Sequence, residues 1–218
     1  MSKVITFSTQ YPKGHIAQGQ PTYFIDHFFA AMSAHGVLSV HADFPWHTLS
    51  LFPSKTFCQK QTTIRKGYRW KEGEYFSPRI WLDIPYHSKQ LQFHNDVQIL
   101  NTYNIEYTGH VWLLEGYQLR ESDIEIIAAN DGLTLENFYS WFPKPFDGQL
   151  LSWITKDLYH GMVERISNYA NSAVQYMEDD ADDSDEDNFQ CCENCDLPDA
   201  CADFGCAIKQ GIRKTVEW

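Results

Sequence analysis

Apolar residues from Val4 to Phe7 predict a short opening strand, and the loop after it, STQYPKGHIAQGQPT, is punctuated by Gly and Pro. Tyr23, Phe24, His27, Phe28 and Met32 then recur at helical spacing before Gly36, and Pro21 stands where a first helical turn tolerates proline. The expectation is a helix with one apolar face. Residues 36–55 are rich in Pro, His and aromatics without a period, and read as an irregular insertion.

From residue 61 to 114 the period shortens. QTTIR, EYFSPRIWL, SKQLQF, VQILNTYNIEY and HVWLLEGYQL mix β-branched and aromatic residues, with turns at Lys66-Gly67, Glu72-Gly73, Asn95-Asp96 and Thr108-Gly109. Short strands in succession favour a small barrel or sandwich. Two helices follow: Ser122 is placed to cap DIEIIAAN, Asp131-Gly132 breaks that helix, and Thr134 is placed to cap LENFYSWF, where Leu135, Phe138 and Phe142 share a face. GQLLSWI returns the chain to a sheet, and residues 157–177 read as a last helix, attached to the domain or packed outside it. The fold class expected is α+β: a domain over residues 1–156, a C-terminal helix over 157–177, and an acidic, Cys-rich tail over 178–218.

Composition changes this picture mainly through the tail. EDDADDSDED, residues 178–187, carries eight carboxylates; with Glu193, Asp196, Asp199, Asp203 and Glu217 the tail has 13, against Lys209, Arg213 and Lys214. Of the chain's net charge of -12, residues 178–218 therefore hold 3 - 13 = -10, leaving -2 for the body. A near-neutral body admits a phosphate-bearing ligand but offers little grip on long RNA. The acidic run has too little hydrophobicity to offset its ordering entropy, and is expected to be disordered. No apolar run has the length of a membrane span, and MSKVITFSTQYPKGH meets polar residues before a signal-length apolar run, so a cytoplasmic protein is expected. Five of the six Cys crowd the tail, which in a reducing compartment argues against a disulfide scaffold.

One body segment gathers positive charge: KQTTIRKGYRWKEGEYF, residues 60–76, has five Lys or Arg. If QTTIR is a strand, alternation puts Thr63 and Arg65 on one face, and the stem of Lys60 at the strand's entry reaches the same side. An ammonium, a hydroxyl and a guanidinium then converge. By pattern alone, an ordinary strand threonine between two solvated charges competes with that reading.

The order strand, helix, KQTTIR, the turn WKEGE at residues 70–74, a β region and a late helix pair resembles the ASCH superfamily of PUA-like small β-barrels. Within it the chain is most similar to the small amidohydrolase branch that removes the acetyl group from N4-acetylcytidine. That branch carries Lys-x-x-Thr-Ile-Arg, which Lys60, Thr63, Ile64 and Arg65 fit position for position. NDGLTLENF, residues 130–138, resembles the segment bearing the family's catalytic carboxylate, with Asp131 where the family has a glutamate. The resemblance spans roughly residues 3–156, interrupted by the aromatic insertion and a longer β region. It implies a PUA-like mixed barrel with flanking helices and no cofactor in the main domain. It also implies hydrolysis with Lys60 taking a proton from Thr63, which acts as nucleophile or orients a water, Asp131 as general acid and base, and Arg65 binding an anion or the developing charge. Aspartate is one methylene shorter than glutamate, and misplacement on the order of 1 Å costs about a hundredfold in rate.

Trp70, Tyr75 and Trp81 flank the motif strand and could stack a base, although barrel core is the commoner role for such residues. In YPKGH, Lys13 and His15 are candidates to contact phosphate, against the plainer reading of solvated loop residues. His41 and His47 are weak ligand candidates. Cys192-x-x-Cys195, with Cys201 and Cys206, could supply four thiolates to a structural Zn, balanced by a tail with free thiols.

Three classes of function follow: a hydrolase acting on a modified nucleoside or base, a non-catalytic module binding RNA or a modified nucleotide, and an interaction protein whose tail engages a basic partner. A reader of bases needs stacking and edge contacts but no poised lysine, so Lys60, Thr63 and Asp131 lean toward the first.

Overall fold

Strand β3 (Tyr75–Trp81) organises the first of two sheets. It pairs in parallel with β1 (Lys3–Thr6), Lys3 opposite Phe76 and Thr6 opposite Arg79, and antiparallel with β4 (Gln90–Gln92) and β5 (Val97–Gln98). A parallel pair needs a long crossover, and the connection from β1 to β3 contains α1 (Phe24–Ala34) and β2 (Thr62–Lys66). The second sheet is antiparallel, ordered β2-β9-β6-β7-β8, with β6 at Asn101–Tyr107, β7 at Trp112–Leu114, β8 at Tyr117–Gln118 and β9 at Phe146–Ser152. Helices α2 (Glu121–Asn130), α3 (Leu135–Trp141) and α4 (His160–Asp182) complete the elements. This computed structural model describes residues 2–37, 39, 41, 42, 44 and 59–182. The chain divides into a unit of residues 1–174 and another of 175–218.

The α+β class is as expected, while the strands lie in two sheets, neither closed into a barrel among the described residues. One aromatic cluster joins the two sheets: Trp153, just past β9, meets Phe76 of β3 at 5.4 Å, Phe7 at 6.2 Å and Phe28 of α1 at 5.7 Å. Offset and edge-on pairs of this kind contribute about 0.5–1.5 kcal/mol each beyond their burial. Tyr159, Met162 and Ile166 are buried, so the start of α4 belongs to the domain core. No helix among the described residues is long and apolar enough to cross a membrane.

Element boundaries depart from the sequence pattern where loops find tertiary partners. Pro21 lies outside α1, in an antiparallel bridge with Gln10, because Thr22 donates its N–H to Thr9 and its hydroxyl to the Ser8 carbonyl. Tyr23, at φ 55°, then turns the chain into the helix. Helix α2 is capped through Asp123 rather than Ser122: its carboxylate accepts the Arg120 N–H at 3.2 Å and is held by Arg165 of α4. Thr134 caps α3 as expected, accepting the Asn137 N–H at 3.2 Å. Most of the 36–55 insertion lies outside the described residues; its Phe44 is buried against Phe29 and Phe93.

Strand β9 lies between β2 and β6, with Leu151 opposite both Thr63 and Thr102. Gly148 permits the approach of β2, since a Cβ there would sit 2.2 Å from the Arg65 carbonyl oxygen. The obstacle is backbone, which cannot rotate away. Gly148→Ala is expected to cost about 3 kcal/mol, the upper end for overpacking, read as a lowered urea midpoint at constant m-value.

Candidate active site

Strand β2 carries the motif. Thr63 and Arg65 line a cavity of about 730 Å³, while the Thr62 hydroxyl lies 3.5 Å from the Tyr159 hydroxyl. Lys60 enters just before the strand. Its N–H donates to the His27 carbonyl of α1 at 3.1 Å, and the Gln61 N–H donates to the Asn130 carbonyl at the end of α2 at 2.8 Å. These two backbone bonds tie the segment between two helices. With the backbone so held, the Lys60 side chain is 1% exposed.

Asp131 occupies the cap at the C-terminus of α2. Gly132 follows at φ +77°; its N–H donates to Ala129 at 3.0 Å, and the Leu133 N–H donates to Ala128 at 2.9 Å. This is the Schellman pattern, which ends a helix with a left-handed residue. The sequence Asp-Gly therefore both stops the helix and aims the carboxylate. Lys60 Nζ donates to the Asp131 carbonyl at 2.6 Å and to its carboxylate, and lies 4.2 Å from the Phe24 ring centroid. An ammonium at a helix C-terminus satisfies an orphan carbonyl and meets the negative end of the dipole. Thr63 lines the same cavity and acts on the carboxylate so as to favour its charged form.

Electrostatics of this cluster are dominated by burial, which disfavours either charged form. Burial lowers the Lys60 ammonium from its ordinary value, against the opposing pull of Asp131. Burial raises the Asp131 carboxyl, against the pull of Lys60, Arg65 and Thr63. Burial brings Arg65 down to about 10, leaving it charged near neutrality. Its Nη2 donates to the Thr6 carbonyl at 3.1 Å, and its buried Nε has no hydrogen-bond partner.

His27 belongs to this arrangement although the helical pattern marked it only as a member of the apolar face of α1. Its carbonyl holds the Lys60 N–H, and its ring is buried against Gly132. The signal available in the sequence was a histidine on an otherwise apolar stripe. A Cβ at residue 132 would stand 3.0 Å from His27 Nδ1 and 3.4 Å from Lys60 Cβ. Gly132→Ala, strained in the left-handed region as well, is expected to cost about 2 kcal/mol, measured by urea denaturation.

Lys60, Thr63, Arg65 and Asp131 thus share one cavity, whose aromatic walls include Trp81, Tyr86 and Trp141. Three candidates lie elsewhere. Trp70 is buried in the core, its N–H and carbonyl both bonded to the Gln149 amide, and does not line the cavity. Lys13 is exposed and is not among the lining residues. His15 is buried with both ring nitrogens occupied: Nδ1 accepts the Ala17 N–H at 3.0 Å, so Nε2 is protonated and donates to the Asn137 carbonyl at 2.9 Å. It stacks on Tyr11 at 4.4 Å and holds the loop against α3, a structural role in place of phosphate contact. Tyr75, by contrast, is exposed. Cys192, Cys195, Cys201, Cys206 and His47 lie outside the described residues, among which no group of three or more His, Cys, Asp or Glu is placed to hold a metal ion.

The cluster can therefore provide a hydroxyl nucleophile, a buried carboxyl of raised pKa as proton carrier, and two cations beside it. No family model, curated protein or solved structure matches the chain.

Proposed function

We propose that the protein is an ASCH-like, cytoplasmic hydrolase of PUA-like ancestry that cleaves an amide on a modified nucleoside or base, with an N-acylated cytidine as the substrate class. The observation that carries this reading is the meeting of Lys60, Thr63 and Asp131 in one cavity, with Lys60 Nζ on the Asp131 carboxylate. Asp131, although shorter than the family's glutamate, reaches Lys60.

That geometry gives the roles. Asp131 takes the Thr63 proton as Oγ1 attacks the acyl carbonyl, then passes it to the exocyclic nitrogen as the C–N bond breaks, leaving an ester on Thr63. Water attacks that ester with Asp131 again as base. The carboxylic acid leaves, and the proton returns to Thr63. Lys60 orients the carboxylate and offsets the charge of the developing oxyanion, while Arg65 binds the substrate. The roles differ from the sequence expectation in one respect: the carboxylate, rather than the lysine, receives the hydroxyl proton, because Lys60 Nζ already donates to the Asp131 carbonyl and carboxylate.

The test is acetate release from N4-acetylcytidine by wild type and by Lys60→Ala. Turnover lost in the variant supports the reading, and binding without release in both supports a non-catalytic nucleotide-binding module instead. The raised pKa of Asp131 adds a pH signature. A general base works only when deprotonated, so kcat/KM rises with pH through the Asp131 pKa. The acid limb is expected above the ordinary carboxylate range, and Asp131→Asn removes the limb together with the activity. An acid limb at or below the pKa of a free aspartate would contradict the assignment.

A further inference from the structure

Among the described residues, two guanidiniums at this cavity form no ion pair. Arg65 uses Nη2 on the Thr6 carbonyl and leaves its buried Nε without an acceptor. Arg69, in the turn between β2 and β3, is exposed and lies 5.1 Å over the Trp70 ring, and none of the ion pairs among the described residues includes it. Both line the cavity. Lys60 and Asp131 neutralise each other, and Asp83 is the other carboxylate on the lining, so the wall carries an excess of one positive charge. An unsatisfied buried donor is costly, which a ligand oxygen would relieve. Guanidiniums fit phosphate oxygens two at a time, in the fork geometry that a carbonyl does not exploit.

Position adds to charge. Thr63 and Arg65 are two residues apart on β2, a separation of about 7 Å, and Arg69 lines the same cavity. Trp81 and Tyr86 are also on the lining, available to a base. Cavity volume, about 730 Å³, is within the range of small-molecule sites. The body's net charge of -2 argues against a polyanion and for a single nucleotide.

We propose that the cavity selects the nucleoside 5′-monophosphate over the free nucleoside, with Arg65 and Arg69 gripping the phosphate. The proposal rests on the nucleoside reading above for the base, while the anion site stands on the two arginines alone. Isothermal titration of the full chain with inorganic phosphate, cytidine, cytidine 5′-monophosphate and a cytidine trinucleotide separates the two. The monophosphate is expected to bind at least about tenfold tighter than cytidine, and inorganic phosphate to compete with it but not with cytidine. Arg69→Gln, at an exposed position, should bring the ratio to within about twofold while cytidine affinity is unchanged. Equal affinity for cytidine and its monophosphate, or a ratio that survives Arg69→Gln, would overturn the proposal, and so would a trinucleotide that binds far more tightly than the monophosphate. Phosphate binding that depends on Arg69, without binding of cytidine or acetate release, would sink the nucleoside reading and leave the anion site standing.

Discussion

Lys60→Met is expected to destabilise the domain by about 3–5 kcal/mol, the largest stability effect of any single change at the site. Methionine keeps most of the stem's volume and removes the ammonium, leaving the Asp131 carboxylate at 4% exposure without its ion-pair partner. The Asp131 carbonyl at the end of α2 loses its donor as well. Two buried acceptors are stranded by one change, and each must be desolvated without compensation. Adding Asp131→Leu should recover most of the loss, because an apolar pair of similar volume carries no desolvation penalty. Urea denaturation of wild type, both single variants and the double closes the cycle. Additive losses would show that the two side chains are not energetically paired. A variant lacking Lys60 but as stable as wild type would mean that Asp131 is solvated or protonated already.

Thr63→Val is expected to lower amide hydrolysis on the order of a thousandfold, with a change in stability of about 1 kcal/mol. Valine keeps the β-branched shape that suits β2 and its pairing with Leu151 of β9, so the sheet is undisturbed. What it removes is the Thr63 hydroxyl in the cavity shared with Asp131, the nucleophile of the proposed reaction. The split between activity and stability is the informative quantity. A loss of both together would make Thr63 a packing residue, and full activity would require a water nucleophile placed by other groups. A chemical step lost with retained ligand affinity is read from kcat against KM.

How far the site was legible depends on the range over which each residue is positioned. Thr63 and Arg65 follow from strand alternation, a local rule. Asp131 follows from the helix-breaking Asp-Gly pair, and that it meets Lys60 depends on the backbone bonds from Lys60 to His27 and from Gln61 to Asn130, contacts between residues 33 and 69 apart in the chain. His15 shows the converse. Its place in a polar, Gly-rich loop suggested solvent, yet Tyr11 and α3 bury it and take both nitrogens. Trp70 was a candidate stacking platform because aromatic residues near a motif strand suit both core and pocket, and only the Gln149 amide that takes its backbone decided for the core.

By itself the sequence determined the α+β class, the strand that carries the motif, the Thr134 cap and the helix stop at Asp131-Gly132. Each is set within a few residues by alternation, turn chemistry or a left-handed glycine, and needs no distant partner. Tertiary structure alone decided that the strands divide into two sheets, that α2 is capped through Asp123, and that Lys60 is buried on Asp131 with His27 behind it. These are settled by which surfaces lose water together, and desolvation acts between segments that the order of residues leaves far apart.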